Sequence, residues 1–494
     1  MRTWGTLTAV CLGTFMLLLD VSIAVVALPD MAGALHASLT DLQWVMDGYA
    51  LALAALLLGT GAAADILGRR RVHVVGVVVF AAASLVCGLA SGPGMLVAAR
   101  VVQGLGAAAM FATTLPIIGA VYQGRQRSVA LGVFGAVSGG AAAIGPVLGG
   151  LLTEGPGWRW IFWVNLPVSV AAVWLTLRHV PESRGPSERR IDWAGTAAFA
   201  AFAGAATYGV IRAGEEGWSE RGALVSLGAA ALALLCFVAV ERRSAHPMLD
   251  LALLRRPAFV GVMVGAFAFN AAAFGVLPYT SLWLQTLLGM SPVHGGLVFL
   301  SLSGASMVVA IAGGKLLHGV PARITVGGGL VLIGVGLCCQ GVLDAGSSWP
   351  ALVPGLLLTG VGVGLVSPGI AGAALATVEP ARSGMAGGSL NTFRQLGYAL
   401  GIAVFGTVLI SRMQDTLPRG AAHALAGGGA DALRGRIPEQ SLHTAFAQGL
   451  NSASLVAGCV ALVAGFLVLV LVRSPQTPVA EPTAPPKKSV GVPR

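Results

Sequence analysis

The sequence predicts an all-α integral membrane protein of fourteen transmembrane helices, built as two six-helix bundles with a helix pair inserted between them. Three observations carry this. Hydrophobic residues make up 56% of the 494-residue chain and charged residues only 10%, against about 25% charged in soluble domains. Apolar runs of membrane-spanning length, about 20 residues, recur from one end to the other. Lysine and arginine concentrate in alternate loops between those runs, as membrane topology requires.

The first run, 6–28, contains Asp20, the only charged side chain between Arg2 and Asp30. A carboxylate there costs roughly 2.5–3.5 kcal/mol on insertion scales and marks an ion or proton path. The run is too long for the apolar segment of a cleaved signal peptide. Runs at 42–63, 72–90, 95–121, 128–152 and 159–178 complete a first bundle, 1–180. A charged loop, 179–190, leads into a second block, 181–256, which holds spans 193–212 and 221–240 with Glu215 and Glu216 between them. After a basic linker, runs 258–280, 292–317, 324–344, 349–377, 385–410 and 447–472 form a second bundle, 257–473. Six plus two plus six is the pattern of two related half-bundles with an inserted pair. The outer loop 413–444, rich in Ala and Gly, is expected to hold a short helix or hairpin. The Pro-rich segment 474–494, with Lys487 and Lys488, reads as a disordered cytoplasmic tail near anionic lipid.

With the N-terminus inside, about 21 of the 30 Lys and Arg residues fall in inner segments and about 7 in outer ones. The bias places both termini in the cytoplasm by the positive-inside rule. It also accounts for the net charge of +10 without nucleic acid as a partner. The six cysteines lie within spans and form no C-x-x-C pair, so they read as buried thiols. There is no Walker A loop, so ATP is not the energy source. No metal-ligand spacing and no catalytic triad occur, and no enzymatic activity or cofactor is expected.

Four motifs carry chemistry. The loop after span 2 reads Gly61-x3-Asp65-x2-Gly68-Arg69-Arg70-Arg71. Its glycines allow a tight turn, and Asp65 can sit at a helix N-terminus or pair with an arginine as a cytoplasmic latch. The arginines alone would also serve as a positive-inside anchor. A degraded echo, Gly314-x3-His318, follows span 10. Span 4 carries Arg100, the only charge between Arg71 and Arg125, either in a functional network or bonded to neighbouring carbonyls. Span 5 contains Gly145-Pro146-Val147-Leu148-Gly149-Gly150, small residues that let helices meet backbone to backbone around a bend. In span 13, Arg394 either binds substrate or clamps the second half through carbonyls. Asn270, Tyr279, Trp283 and Gln285, in or just after span 9, and Asn391 in span 13 are further cavity candidates, with packing or interfacial anchoring as the alternative for each.

These residues resemble the major facilitator superfamily, and within it the fourteen-span drug:proton antiporter-2 group (EmrB/QacA type), over nearly the whole chain. Segment 19–29 resembles the group's L-D-x-T-I-V-N-V-A-L-P, and 43–49 its Q-W-V-x-x-x-Y. Segment 61–70 resembles motif A, with Ile66 in place of a base. Segment 96–108 resembles motif B, linked in the superfamily to proton transfer. Segment 145–150 resembles motif C, the antiporter motif, with Ala141 where a glycine is usual. Segment 158–167 resembles W-R-W-I-F-x-I-N-L-P. The resemblance implies a major facilitator fold in a bacterial inner membrane. It implies a proton gradient as energy source and export of amphiphilic drugs or antibiotics by alternating access, with a monomer as the expected unit. Uptake of a small metabolite on the same fold is the alternative.

At 1.5 Å per residue, Asp20, Asp47 and Arg100 all lie in the outer half of the membrane, roughly 8–12 Å deep. They are the only charges within spans 1, 2 and 4, which places them in one expected network. Asp20 is the expected proton carrier. Asp47 is either a second titrating site or the counter-charge for a cationic substrate.

Overall fold

A computed structural model describes residues 2–185, 192–244, 247–316, 320–379 and 383–472. The 474–494 tail and the His318 end of the motif A echo lie outside the described residues. Among the described residues, fourteen helices are long and apolar enough to cross a membrane. Spans 1–6 are Trp4–Leu35, Leu39–Leu67, Arg69–Gly88, Pro93–Val121, Val129–Glu154 and Trp160–His179. The inserted pair, spans 7 and 8, is Trp193–Glu216 and Arg221–Arg243. Spans 9–14 are Pro257–Leu287, Pro292–Gly313, Ala322–Gln340, Trp349–Ala376, Gly384–Met413 and Glu439–Leu471.

Local chemistry sets the boundaries. Ser38 caps span 2 in a reciprocal capping box: its hydroxyl accepts the Asp41 N–H, and the Asp41 carboxylate accepts the Ser38 N–H. Two orphan donors at the helix start are thereby satisfied. Gly68 separates spans 2 and 3 at φ 111°, a backbone region that a Cβ disfavours. Span 9 is longer than its apolar run suggests. It continues through Pro278 and ends in one π-helical turn, Trp283–Leu287.

The two bundles repeat each other. Span 4 packs on spans 2 and 3, and span 12 packs on spans 10 and 11. Glycines mark the same contacts in both. A Cβ on Gly104 would lie 2.5 Å from the Tyr49 carbonyl oxygen, and one on Gly360 would overlap the Leu302 carbonyl. Gly106 meets Phe80 on span 3 in the same way that Gly362 meets Gly329 and Ile333 on span 11. Between bundles, span 2 packs on span 13 and span 5 on span 10, while span 7 rests against spans 2 and 13. An even number of spans puts the first and last helix ends on one face, the terminal face; the opposite one is the far face.

Two expectations change. Of the six cysteines, only Cys11 and Cys87 are buried; Cys236, Cys339 and Cys459 are exposed. They sit at membrane depth on the outside of the bundle, where lipid rather than protein covers an apolar thiol. The outer loop is shorter than 413–444, because span 14 begins at Glu439. It holds two short helices, Arg419–Ala426 and Ala430–Leu433.

Candidate functional site

Asp20 and Arg100 meet inside the first bundle, both almost wholly enclosed. Arg100 Nη1 donates to Asp20 Oδ2 at 2.5 Å and to Gln103 Oε1 at 2.7 Å, and its Nε donates to the Val45 carbonyl. Gln103 and Asn165 each donate from the side-chain amide to Asp20 Oδ1, at 2.9 and 3.0 Å. Gln103 Nε2 also reaches the Ser84 hydroxyl. The guanidinium carbon lies 4.4 Å from the centre of the Tyr49 ring. Spans 1, 2, 3, 4 and 6 thus converge on one carboxylate. Three donors on two oxygens suit the ionised, acceptor-only form of that group.

Asp47 does not join this cluster. It is fully buried, and neither carboxylate oxygen has a hydrogen-bond partner among the described residues. Its position on span 2 explains the separation. Val45, whose carbonyl holds Arg100, precedes Asp47 by two residues, or about 200° around the helix. Asp47 therefore faces the second bundle, close enough to Tyr279 and Tyr398 to interact electrostatically. The Tyr398 hydroxyl is likewise buried without a partner.

Motif C fastens the far half of the molecule. A Cβ on Gly145 would overlap the Ser22 hydroxyl of span 1, and one on Gly149 would stand 3.0 Å from the Ile23 backbone. Gly150 faces span 10 across the bundle interface, 2.6 Å from the Pro292 carbonyl by the same measure, and Gly296 answers by resting on the Pro146 carbonyl. Toward the terminal face span 5 carries glycines with open space beside them. At Gly132, Gly135, Gly139 and Gly140 a Cβ would meet nothing within 4 Å among the described residues. A groove of about 410 Å³ lies between spans 1 and 5 of the first bundle, lined by Trp4, Leu7, Thr8, Cys11, Leu12, Phe15, Val133 and Val137. The far end is sealed. Gln43 donates to the Tyr279 hydroxyl, which donates to the Ile402 carbonyl, and Gln285 donates to the Val26 carbonyl. The space left among these residues is about 10 Å³, room for one water at most.

The cavity candidates divide accordingly. Tyr279, Trp283 and Gln285 belong to the sealed far end, with Trp283 completely enclosed. Asn270, Asn391 and Arg394 lie deeper. Asn391 donates to the Gly387 carbonyl of its own helix. Arg394 Nε donates to Asn270 Oδ1 at 3.2 Å, with its guanidinium over the Phe269 ring.

The motif A loop is tied within the first bundle. Arg69 pairs with Asp65 at 2.9 Å and reaches the Pro116 carbonyl. The Arg70 backbone N–H donates to Glu182, and the Gly185 N–H donates to the Asp65 carbonyl. A Cβ on Gly68 would strike the Glu182 carboxylate. Sequence reading gave no role to Glu182, Ser84, Gln103, Asn165 or Tyr398. Gln103 and Asn165 lie within the motif segments 96–108 and 158–167, which marked their neighbourhoods but assigned neither side chain a role.

A two-bundle membrane transporter with a charged network in its first half is what this geometry defines. The chain belongs to the Major Facilitator Superfamily, whose family model matches residues 10–402, and its fourteen spans agree with the fourteen-span group of that superfamily. It is 37% identical over 413 residues to the multidrug resistance protein Stp of Mycobacterium tuberculosis, covering 83% of this chain and 77% of that one. It is 32% identical over 499 residues to the tetracenomycin C resistance and export protein of Streptomyces glaucescens, covering 95% and 91%. Among solved structures, a bacterial homologue of the human lysosomal transporter Spinster, in an inward-facing state, superposes with a TM-score of 0.65 at 17% identity, covering 95% and 97%. At that identity the likeness concerns the fold alone.

Proposed function

We propose that this chain is a proton-driven exporter of amphiphilic drugs or antibiotics, working by alternating access in a bacterial inner membrane with both termini in the cytoplasm. Its relatives named for drug resistance and antibiotic export support the substrate class. The positive-inside bias supports the orientation. In that orientation the terminal face is cytoplasmic, and the far end closed by Gln43, Tyr279 and Gln285 is the outer one.

One observation carries the coupling: of the enclosed pair Asp20 and Asp47, the first accepts three donors and the second accepts none among the described residues. The Asp20 arrangement is what remains after a proton has left toward the cytoplasm. Arg100, Gln103 and Asn165 then stabilise the charge in place of water. Rocking the bundles apart at the far face admits water to this network, and Asp20 then exchanges its bond to Arg100 for a proton taken from outside. Asp47 complements it. An enclosed carboxylate with no partner is tolerated as the neutral acid, so Asp47 holds its proton in this state and gives it up only when the span 2–span 13 contact opens. No cofactor takes part; the proton gradient supplies the energy, and a single chain is the functional unit.

The test uses purified full-length protein in proteoliposomes under an imposed pH gradient, with ethidium, puromycin and 1-anilinonaphthalene-8-sulfonate as probes, so that cationic and anionic amphiphiles are both represented. Gradient-dependent expulsion that vanishes in Asp20→Asn supports the reading. Full gradient dependence in that variant, or gradient-driven accumulation by the wild type in right-side-out vesicles, sinks it.

A further inference from the structure

We infer that Arg394 and Asn270 form an anion-recognition site at mid-depth, and that the exported molecule carries an acidic group on an aromatic or lipophilic body. This rests on the export reading only for the word exported; the binding site stands on its own geometry. Arg394 lies ten residues, about 15 Å, from the terminal end of span 13. That is the depth at which transporters of two related halves place their substrates. Its described hydrogen bond goes to a neutral amide oxygen, and among the described residues it pairs with no carboxylate and bonds no backbone carbonyl. The carbonyl-clamp alternative left open by the sequence is therefore unoccupied. Arg100 shows the contrast, since its donors are spent on Asp20, Gln103 and the Val45 carbonyl.

A guanidinium is permanently charged and offers five N–H donors in a planar fork suited to an oxyanion. Here it is half-buried rather than enclosed. Its hydrogen-bond partner Asn270 and its ring contact Phe269 are on span 9, itself one of the most protein-covered helices. Its exposed part thus faces the interior between the bundles and not lipid. With its oxygen engaged by Arg394, the Asn270 side chain presents its NH2 group beside the guanidinium. Two adjacent donors, a net positive charge and the Phe269 ring match an aromatic carboxylate, sulfonate or ionised phenol. Neither Asp20 nor Asp47 of the first bundle compensates this charge. Asp20 is matched to Arg100, and Asp47 faces Tyr279 and Tyr398 instead.

The experiment is an equilibrium titration of full-length protein in lipid nanodiscs with no gradient. It uses 1-anilinonaphthalene-8-sulfonate and its uncharged counterpart N-phenyl-1-naphthylamine, which differ only in the sulfonate. Arg394→Gln is expected to weaken the sulfonate probe by about tenfold, the scale of one charge-assisted hydrogen bond, and to leave the neutral probe unchanged; Arg394→Lys should recover part of the loss. Asn270→Asp, which supplies an internal counter-charge while keeping the arginine, is expected to give the same selective loss. Unchanged sulfonate binding in Arg394→Gln, or equal weakening of both probes in Asn270→Asp, overturns the inference. Should Arg394→Gln lose both probes through misfolding, Asn270→Asp decides alone. Selective binding of the sulfonate without its expulsion from energised vesicles would overturn the export reading and leave this site intact.

Discussion

Asp20, inside the first bundle, and Asp47, facing the second, are both enclosed carboxylates whose surroundings make opposite demands on a proton. Replacing Asp20 by Asn removes the charge that Arg100, Gln103 and Asn165 converge on and leaves a buried guanidinium without its counter-ion, a loss of several kcal/mol of local stabilisation. Gradient-driven export is expected to fall by at least about tenfold, measured as initial rate in proteoliposomes. Asp47→Asn differs. The amide mimics the neutral acid, so folding and probe binding are expected to remain near wild type. The pH gradient should then sustain a smaller expulsion ratio, read as a lower steady-state concentration gradient of the same probe. An unchanged ratio would reduce Asp47 to a packing residue. The Asp20–Arg100 pair was legible in the sequence because nothing else in spans 1 and 4 is charged. Asp47 shared their depth, but depth along a helix says nothing about azimuth, and two residues beyond Val45 is the wrong side of span 2. Asn165, Ser84 and Tyr398 carry no charge and no periodicity, so only packing could bring them to the site.

At the scale of single elements, span 5 works as a hinge surface. Its far half presents Gly145 and Gly149 to span 1 and Gly150 to span 10, while Gly132, Gly135, Gly139 and Gly140 in its terminal half have no described atom within 4 Å of a Cβ position. Gly150→Val places a branched side chain where the Pro292 carbonyl stands 2.6 Å from the Cβ position. Overpacking of that kind costs about 1–3 kcal/mol, charged only to the state with its far face sealed. The variant is therefore expected to bias the molecule toward outward opening and to lower transport by about tenfold. The check is faster labelling of a cysteine introduced at Leu42, which lines the sealed end. Labelling no faster than in wild type would mean that this face does not gate. The glycine run itself was plain in the sequence. Which glycine meets which helix was not, because the same small residues serve contacts within a bundle and between bundles. The repeat of the two halves shows the distinction: Gly104 and Gly360 lock within their bundles at matching places, whereas Gly150 and Gly296 form the seam between them.

For the whole molecule, fourteen spans, their order and the six-two-six division were legible because hydropathy and loop charge report directly on bilayer crossing. The role of the loop between spans 13 and 14 was not, since Ala and Gly give no pattern that names a partner. In the structure it lies across the far mouth. Leu417, Ala422, Leu425, Ala426 and Ala430 are buried, and Arg434 reaches the Thr286 carbonyl. At Gly428 a Cβ would come within 3.6 Å of the Ala32 Cβ on span 1. This loop belongs to the second bundle by connectivity and touches the first, so the sealed mouth has a strap that must lift when the bundles rock outward. A Cβ–Cβ separation of about 3.5–4.5 Å is what a disulfide requires. The double variant Ala32→Cys with Gly428→Cys is expected to cross-link under mild oxidation, to lose at least about tenfold of its transport, and to regain it on reduction; the figure assumes that one covalent tie holds one end state. Gly428 has φ 90°, so its cysteine carries a strain of roughly 1–2 kcal/mol. The single variants therefore serve as the reference, together with the native cysteines, which remain in every sample. Full transport by the oxidised, cross-linked double variant would show that the far mouth opens without the strap moving.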